Sequence, residues 1–158
     1  MSNLSYKRIK KEFDIILDRY QNCAIEINND NKYQNYIFVV KLKKPRVDIK
    51  LIYPSEYPFK CPELYINDTP YRKMVCIGHN YIIKELNKLD MQCFCYKSLI
   101  CYSNWSPSIN SIKLIDEYLN NRKLIQNIIY KKYISIICIQ NNADIQELKE
   151  LIFNFLQC

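Results

Sequence analysis

Chemistry in this chain rests on sulfur. Eight cysteines accompany one histidine, one tryptophan and one glycine in 158 residues. Cys76, His79, Cys93, Cys95 and Cys101 crowd into one stretch of the chain. A thiolate in such a group serves as a nucleophile or as a soft metal ligand. The lone His79 excludes catalysis by paired histidines and imidazole-rich metal sites. The lone Gly78 excludes the glycine-rich loops that cradle phosphates. Cys76-x-x-His79 followed by Cys93-x-Cys95 and Cys101 supplies enough ligands for a tetrahedral zinc site, and zinc would stabilise an irregular stretch with little apolar material. The spacing matches no paired Cys-x-x-Cys ribbon or finger, so zinc stands as the competing reading of this stretch and no cofactor as the leading one. Cys23, Cys61, Cys138 and Cys158 read as buried or incidental thiols.

Composition sets the frame for that segment. With 49% hydrophobic and 25% charged residues the chain reads as an ordinary globular protein, and its length suits a single domain over residues 1–158. No apolar run approaches the roughly 20 residues that cross a bilayer, and the N-terminus lacks the apolar core of a signal peptide. The expectation is a cytoplasmic or nuclear protein, with no membrane partner and with cysteines as thiols and not disulfides. The formal charge of +7 favours an acidic partner. Heavy use of Ile, Asn, Lys and Tyr inflates that charge, however, and no basic–aromatic motif emerges, so nucleic-acid binding is not favoured.

The elements that must position the cysteines follow from periodicity. Ile9, Phe13, Ile16 and Tyr20 recur at helical steps, with Lys7, Arg8, Lys10, Lys11 and Glu12 on other faces and Ser5 or Ser2 as N-cap. The period then changes to two. Ile25 and Ile27, then Tyr36, Phe38, Val40 and Leu42, then Ile49, Leu51 and Tyr53 each align on one face, and a last short strand lies around 64–66. Short gaps make these four strands an antiparallel meander with one helix-covered face. Ile82, Leu86 and Leu89 predict a short helix over 81–90. Ser106 before Pro107 reads as a helix start continued by Ile112, Ile115 and Leu119. The β-branched run 122–139 leans to helix, and Asp144 opens a final one. The fold class is α+β, with a core of about 5–120 and C-terminal helices over 121–158.

Three stretches make this order specific. Lys7-Arg8-Ile9-Lys10-Lys11-Glu12 resembles the first helix of the ubiquitin-conjugating enzyme family. Tyr53-Pro54-Ser55-Glu56-Tyr57-Pro58-Phe59-Lys60-Cys61-Pro62 resembles that family's proline loop between its third and fourth strands. Trp105-Ser106-Pro107-Ser108 resembles its Trp-Ser-Pro-Ala motif after the active-site cysteine. The resemblance implies thioester exchange, an acyl transfer: a Cys takes ubiquitin or a ubiquitin-like protein from an activating enzyme and passes it to a substrate amine, usually with a ubiquitin ligase holding both. Cys93-Phe94 best reproduces the family's Cys-Leu step and is the first choice of nucleophile; Cys95 is the second. The resemblance also places Lys7, Arg8 and Lys11 where the activating enzyme docks, and Phe59, Pro107 and Ser108 on the surface that meets a ligase. Solvated helix residues and loop-shaping prolines account for these positions equally well. Trp105 reads as a structural plug.

The chain departs from the family in three respects. It has no His-Pro-Asn, the motif whose Asn stabilises the oxyanion; Gly78-His79-Asn80 is the nearest substitute, which makes Asn80 the candidate donor. The stretch between the proline loop and Trp105 is longer than usual. The position where the family places its nucleophile holds Lys97, with Cys93 and Cys95 upstream and Cys101 closer to Trp105. A catalytically inactive member that scaffolds ubiquitin or a ligase is therefore the alternative.

Overall fold

A computed structural model describes residues 3–20, 23–30, 35–43, 46–76, 80–91, 94–95, 97–101 and 103–139. The first helix, α1 (Asn3–Arg19), contains no Gly or Pro and buries the expected stripe. Ile9 and Ile16 are almost wholly enclosed, Phe13 and Tyr20 pack half-buried on the core, and Lys7, Lys10 and Lys11 face solvent. Two expectations are corrected here. Ser5 is not the N-cap, because the helix starts before it; its buried hydroxyl donates to the Tyr57 carbonyl at 2.8 Å. Glu12 is not on a wet face but only 4% exposed, because donors from two other elements meet it. The other cap candidate, Ser2, lies outside the described residues.

The four expected strands are present: β1 (Cys23–Asp30), β2 (Asn35–Lys43), β3 (Arg46–Tyr53) and β4 (Glu63–Ile66). They pair antiparallel in chain order. The register sets Phe38 opposite Leu51 and Leu51 opposite Leu64, with Val40, Ile49 and Ile66 in the next row. All six are buried, so a one-residue slip would turn the whole apolar face to water. A two-residue strand, β5 (Thr69–Pro70), extends the sheet beyond the expected four. Asn67 and Asp68 make its hairpin with φ of 45° and 62°, a conformation these two residue types tolerate better than most. The Asn67 side chain also accepts from the Asp48 amide at 2.9 Å.

A five-residue helix, α2 (Tyr71–Val75), follows directly and packs on β4. The helix expected over 81–90 is α3 (Asn80–Asn87), with Ile82 and Leu86 buried. Leu89 is a correction: it falls after the helix and is exposed, because a turn closed from Met91 N to Leu86 O, with Asp90 at φ 55°, ends the element.

The second major helix, α4, runs from Ser111 to Ile139. It does not start at Ser106, which instead forms a turn closed by Ile109 N to Ser106 O. Asn110 is the cap, its Oδ1 accepting from Lys113 N at 3.3 Å. The separate C-terminal helices expected before residue 140 are one continuous element. Ile125, Ile128 and Ile129 are buried at helical spacing, which places the β-branched run in a helix. The helix expected from Asp144 lies outside the described residues. α1 meets α4 across the apolar face of the sheet, with Tyr20 Oη on Asp116 at 2.9 Å and Arg19 paired to the same carboxylate at 3.0 Å. Among the described residues no helix is long and apolar enough to cross a membrane.

Candidate active site

The proline loop is held from below by an aromatic column. Ring centroids step from Phe13 to Phe38 (5.1 Å), Tyr53 (5.3 Å), Tyr57 (4.9 Å) and Trp105 (6.2 Å), so the column joins α1, the sheet, the loop and the turn before α4. Edge contacts between the middle rings suit their quadrupoles. The Tyr57–Pro58 peptide is cis, and the Pro58 carbonyl accepts from Trp105 Nε1 at 2.8 Å. That bond ties the turn carrying Phe59 to the turn carrying Pro107 and Ser108. Phe59 is 76% exposed, and Pro107 and Ser108 are also exposed.

Under the loop lies a buried carboxylate. Glu12 accepts from Tyr57 Oη (2.5 Å) and Arg8 Nε (2.9 Å) on one oxygen, and from Ser111 N (3.0 Å) and Oγ (2.7 Å) on the other. Tyr53 Oη in turn donates to Ser111 Oγ at 2.6 Å. Burial pushes the Tyr53 and Tyr57 hydroxyls well above the ordinary phenol range, and the Glu12 charge adds to this. Arg8, expected on the docking face, is turned inward. Its Nη2 donates to the Ile109 carbonyl at 2.7 Å and its guanidinium lies 5.4 Å from the Tyr57 ring centre. Lys7 and Lys11 remain exposed on α1.

The cysteine-bearing segment lies between α3 and Trp105 in the chain, and its described residues form turns. Ser98 N and Cys101 Sγ both donate to the Cys95 carbonyl, at 3.2 and 3.0 Å. The Ser98 carbonyl accepts from Cys101 N and from Asn104 Nδ2. Phe94 and Ser98 are buried, and Leu99 and Ile100 pack on the core. Glu117 of α4 reaches into this segment, accepting from Ser98 Oγ at 2.5 Å and from Leu99 N at 2.7 Å.

Cys93, the first-choice nucleophile, lies outside the described residues. Cys95 is half-buried and disulfide-bonded, which corrects the expectation that the cysteines are all thiols. In that state its sulfur is neither a nucleophile nor a thiolate ligand. Cys61, Cys76 and Cys101 are free. Burial, and then the Glu117 charge, push the Cys61 thiol up to about 12, so it stays protonated at neutral pH. Asn80 is exposed and is the first residue of α3. Lys97, at the family's nucleophile position, is also exposed. Of the possible zinc ligands, His79 and Cys93 lie outside the described residues. Among the described residues no three metal-ligating side chains come together. Beside the segment a groove of about 390 Å³ runs between Lys60, Cys61, Leu64, Arg72 and Ile100.

Sequence reasoning did not find Glu12, Ser111 or Glu117. A signal existed for Glu117. It sits three residues after buried Leu114, on the helix stripe that continues through Tyr118 and Ile125, and a charge on an apolar stripe requires a partner. No protein-family model, curated protein or solved structure matches the chain.

Proposed function

We propose that this chain is a divergent ubiquitin-conjugating-enzyme-like protein, of that family's fold, which carries ubiquitin or a ubiquitin-like modifier as a Cys thioester and transfers it to a substrate amine. The observation that carries the reading is the Trp105 Nε1–Pro58 O bond at 2.8 Å. It joins the two resembling motifs in space, beside a cysteine-bearing segment seated on the following helix. Cys93 is the nucleophile in this reading, because Cys93-Phe94 best reproduces the family's Cys-Leu step. Its thiolate attacks the thioester carbonyl presented by the activating enzyme, and the carbon–sulfur bond to that enzyme breaks with its thiolate leaving. A substrate amine then attacks the new thioester; a carbon–nitrogen bond forms, the Cys93 thiolate leaves, and the amine proton passes to solvent. Exposed Phe59, Pro107 and Ser108 form the ligase surface, and Lys7 and Lys11 face the activating enzyme.

The test is charging. Reduced and desalted protein is mixed with activating enzyme, ATP and ubiquitin, then run on a non-reducing gel. A ubiquitin adduct that disappears with reductant supports the reading, and its absence with each activating enzyme tried contradicts it. One observation favours a second reading, an inactive relative that scaffolds ubiquitin or a ligase. The chain lacks the family's His-Pro-Asn, so no residue matches the motif's oxyanion donor. Binding to ubiquitin without charging would select that reading.

A further inference from the structure

Glu117 gathers donors from two separate parts of the chain. One oxygen accepts from Ser98 Oγ (2.5 Å) and Tyr71 Oη (3.1 Å), and the other from Leu99 N (2.7 Å). Asn121, one turn further along α4, donates to the Tyr71 oxygen at 2.8 Å, which leaves the phenolic proton free to point at Glu117. Ser98 is 1% exposed, and its carbonyl is taken by Cys101 N and Asn104 Nδ2. Among the described residues from 94 to 104 there is no helix or strand. Glu117 ties the described residues of this segment to the 29-residue helix α4, beside the apolar contacts of Phe94, Leu99 and Ile100 with the core and the disulfide of Cys95. Hydrogen bonds to a charged acceptor are the strong kind, and an amide left buried without one is costly.

We propose that Glu117 is a positioning residue, whose carboxylate locks residues 98–101 onto α4 and thereby fixes the turn that begins at Cys95. The inference rests on the reading of this segment as the carrier of the thioester cysteine. Glu117 touches no reacting atom; it acts through the backbone at Leu99 and the hydroxyl of Ser98. The same negative charge lies close enough to Cys61 to help keep that neighbouring sulfur protonated, which leaves it out of thiol exchange with the segment.

The experiment uses the full chain and the variants Glu117→Ala and Glu117→Gln, with two readouts. Amide hydrogen exchange at Leu99 reports the lock directly. It accelerates roughly ten- to a hundredfold in Glu117→Ala, the loss expected for a bond to a charged acceptor, while the β2–β3 amides keep their wild-type rates. In charging kinetics kcat falls at least tenfold, KM for the loaded activating enzyme is unchanged, and Glu117→Gln recovers most of the loss because its amide still offers an acceptor to Leu99 N. A merely structural role would slow the two variants in proportion to their lost stability. Unchanged Leu99 exchange in Glu117→Ala overturns the proposal, as does a rise in KM at constant kcat. If wild type never charges, the thioester reading falls, and the Leu99 exchange rates still decide whether the lock exists. If Glu117→Ala does not fold, Glu117→Leu, which keeps the side-chain bulk but offers no acceptor, decides it: faster exchange at Leu99 alone supports the lock, and wild-type exchange there overturns it.

Discussion

Glu12 of α1 caps α4 from 99 residues away, accepting both the backbone amide and the hydroxyl of Ser111. The first amides of a helix have no partner within it, and its N-terminus carries partial positive charge. Here a carboxylate on another helix satisfies one of them, inside the core. The same group anchors Tyr57 of the proline loop, so one side chain sets the relative position of α1, the loop and α4.

Removing that carboxylate should therefore cost more than an ordinary cap. Glu12→Ala leaves the Ser111 amide and the Tyr57 hydroxyl buried without their acceptor, and the expected loss is about 3 kcal/mol. Glu12→Gln keeps an acceptor for one of them and should lose about half as much. Urea unfolding measures both, and equal stability of the alanine variant and wild type would refute the role.

Trp105 is the chain's single tryptophan and is 9% exposed, so its fluorescence reports on the site itself. Trp105→Phe keeps most of the packing but removes the bond to Pro58 O. The expected destabilisation is about 1–2 kcal/mol, part of it from leaving that carbonyl unpaired. In wild type, emission should shift to the red in the same urea transition that melts the helices.

Alkaline pH should unfold the protein cooperatively. Burial holds the hydroxyls of Tyr53, Tyr57 and Tyr71 above their ordinary value of 10.0, and the Cys61 thiol at about 12 from 9.0. Groups whose pKa is raised on folding contribute stability that is complete below the unfolded pKa. Above it the unfolded state binds fewer protons than the folded state, so stability falls as pH rises. The loss begins near pH 9 to 10 and continues upward. Phenolate absorbance should then rise in step with loss of helix, not as a gradual titration, and iodoacetamide should leave Cys61 unmodified at pH 8 in folded protein.

Phe59 makes the opposite prediction. A side chain 76% exposed contributes little to the core, so Phe59→Ala should alter stability by less than about 0.5 kcal/mol. Under the proposed function it should nevertheless abolish stimulation of modifier discharge by a ligase, measured as release from the charged protein to free lysine.

Much of the fold was legible because its periods were written in side-chain type. Ile9 and Ile16 mark one face of α1, and Phe38, Val40, Ile49 and Leu51 mark one face of the sheet. Legibility ended where two local signals competed or a partner lay far along the chain. Ser106-Pro107 and Asn110-Ser111 are both plausible helix starts; the second prevails because Asn110 caps locally and Glu12 satisfies Ser111 from α1. Glu12 follows a run of basic residues and reads as surface until the donors of Tyr57 and Ser111 are placed around it. β5 and α2 rest on a two-residue turn at Asn67–Asp68, too short to leave a periodic signal. The cysteine pattern gave the segment, but composition could not foretell that Cys95 is bonded to another sulfur.

The most direct measurement of the central claim is intact-mass analysis of wild type and Cys93→Ser after incubation with activating enzyme, ATP and ubiquitin. The account predicts that wild type gains one ubiquitin in a bond cleaved by reductant, and that Cys93→Ser gains it in a bond that resists reductant and yields to hydroxylamine. A reductant-sensitive adduct that persists unchanged in Cys93→Ser would contradict the assignment of Cys93, and no adduct on either protein would contradict thioester transfer by this chain.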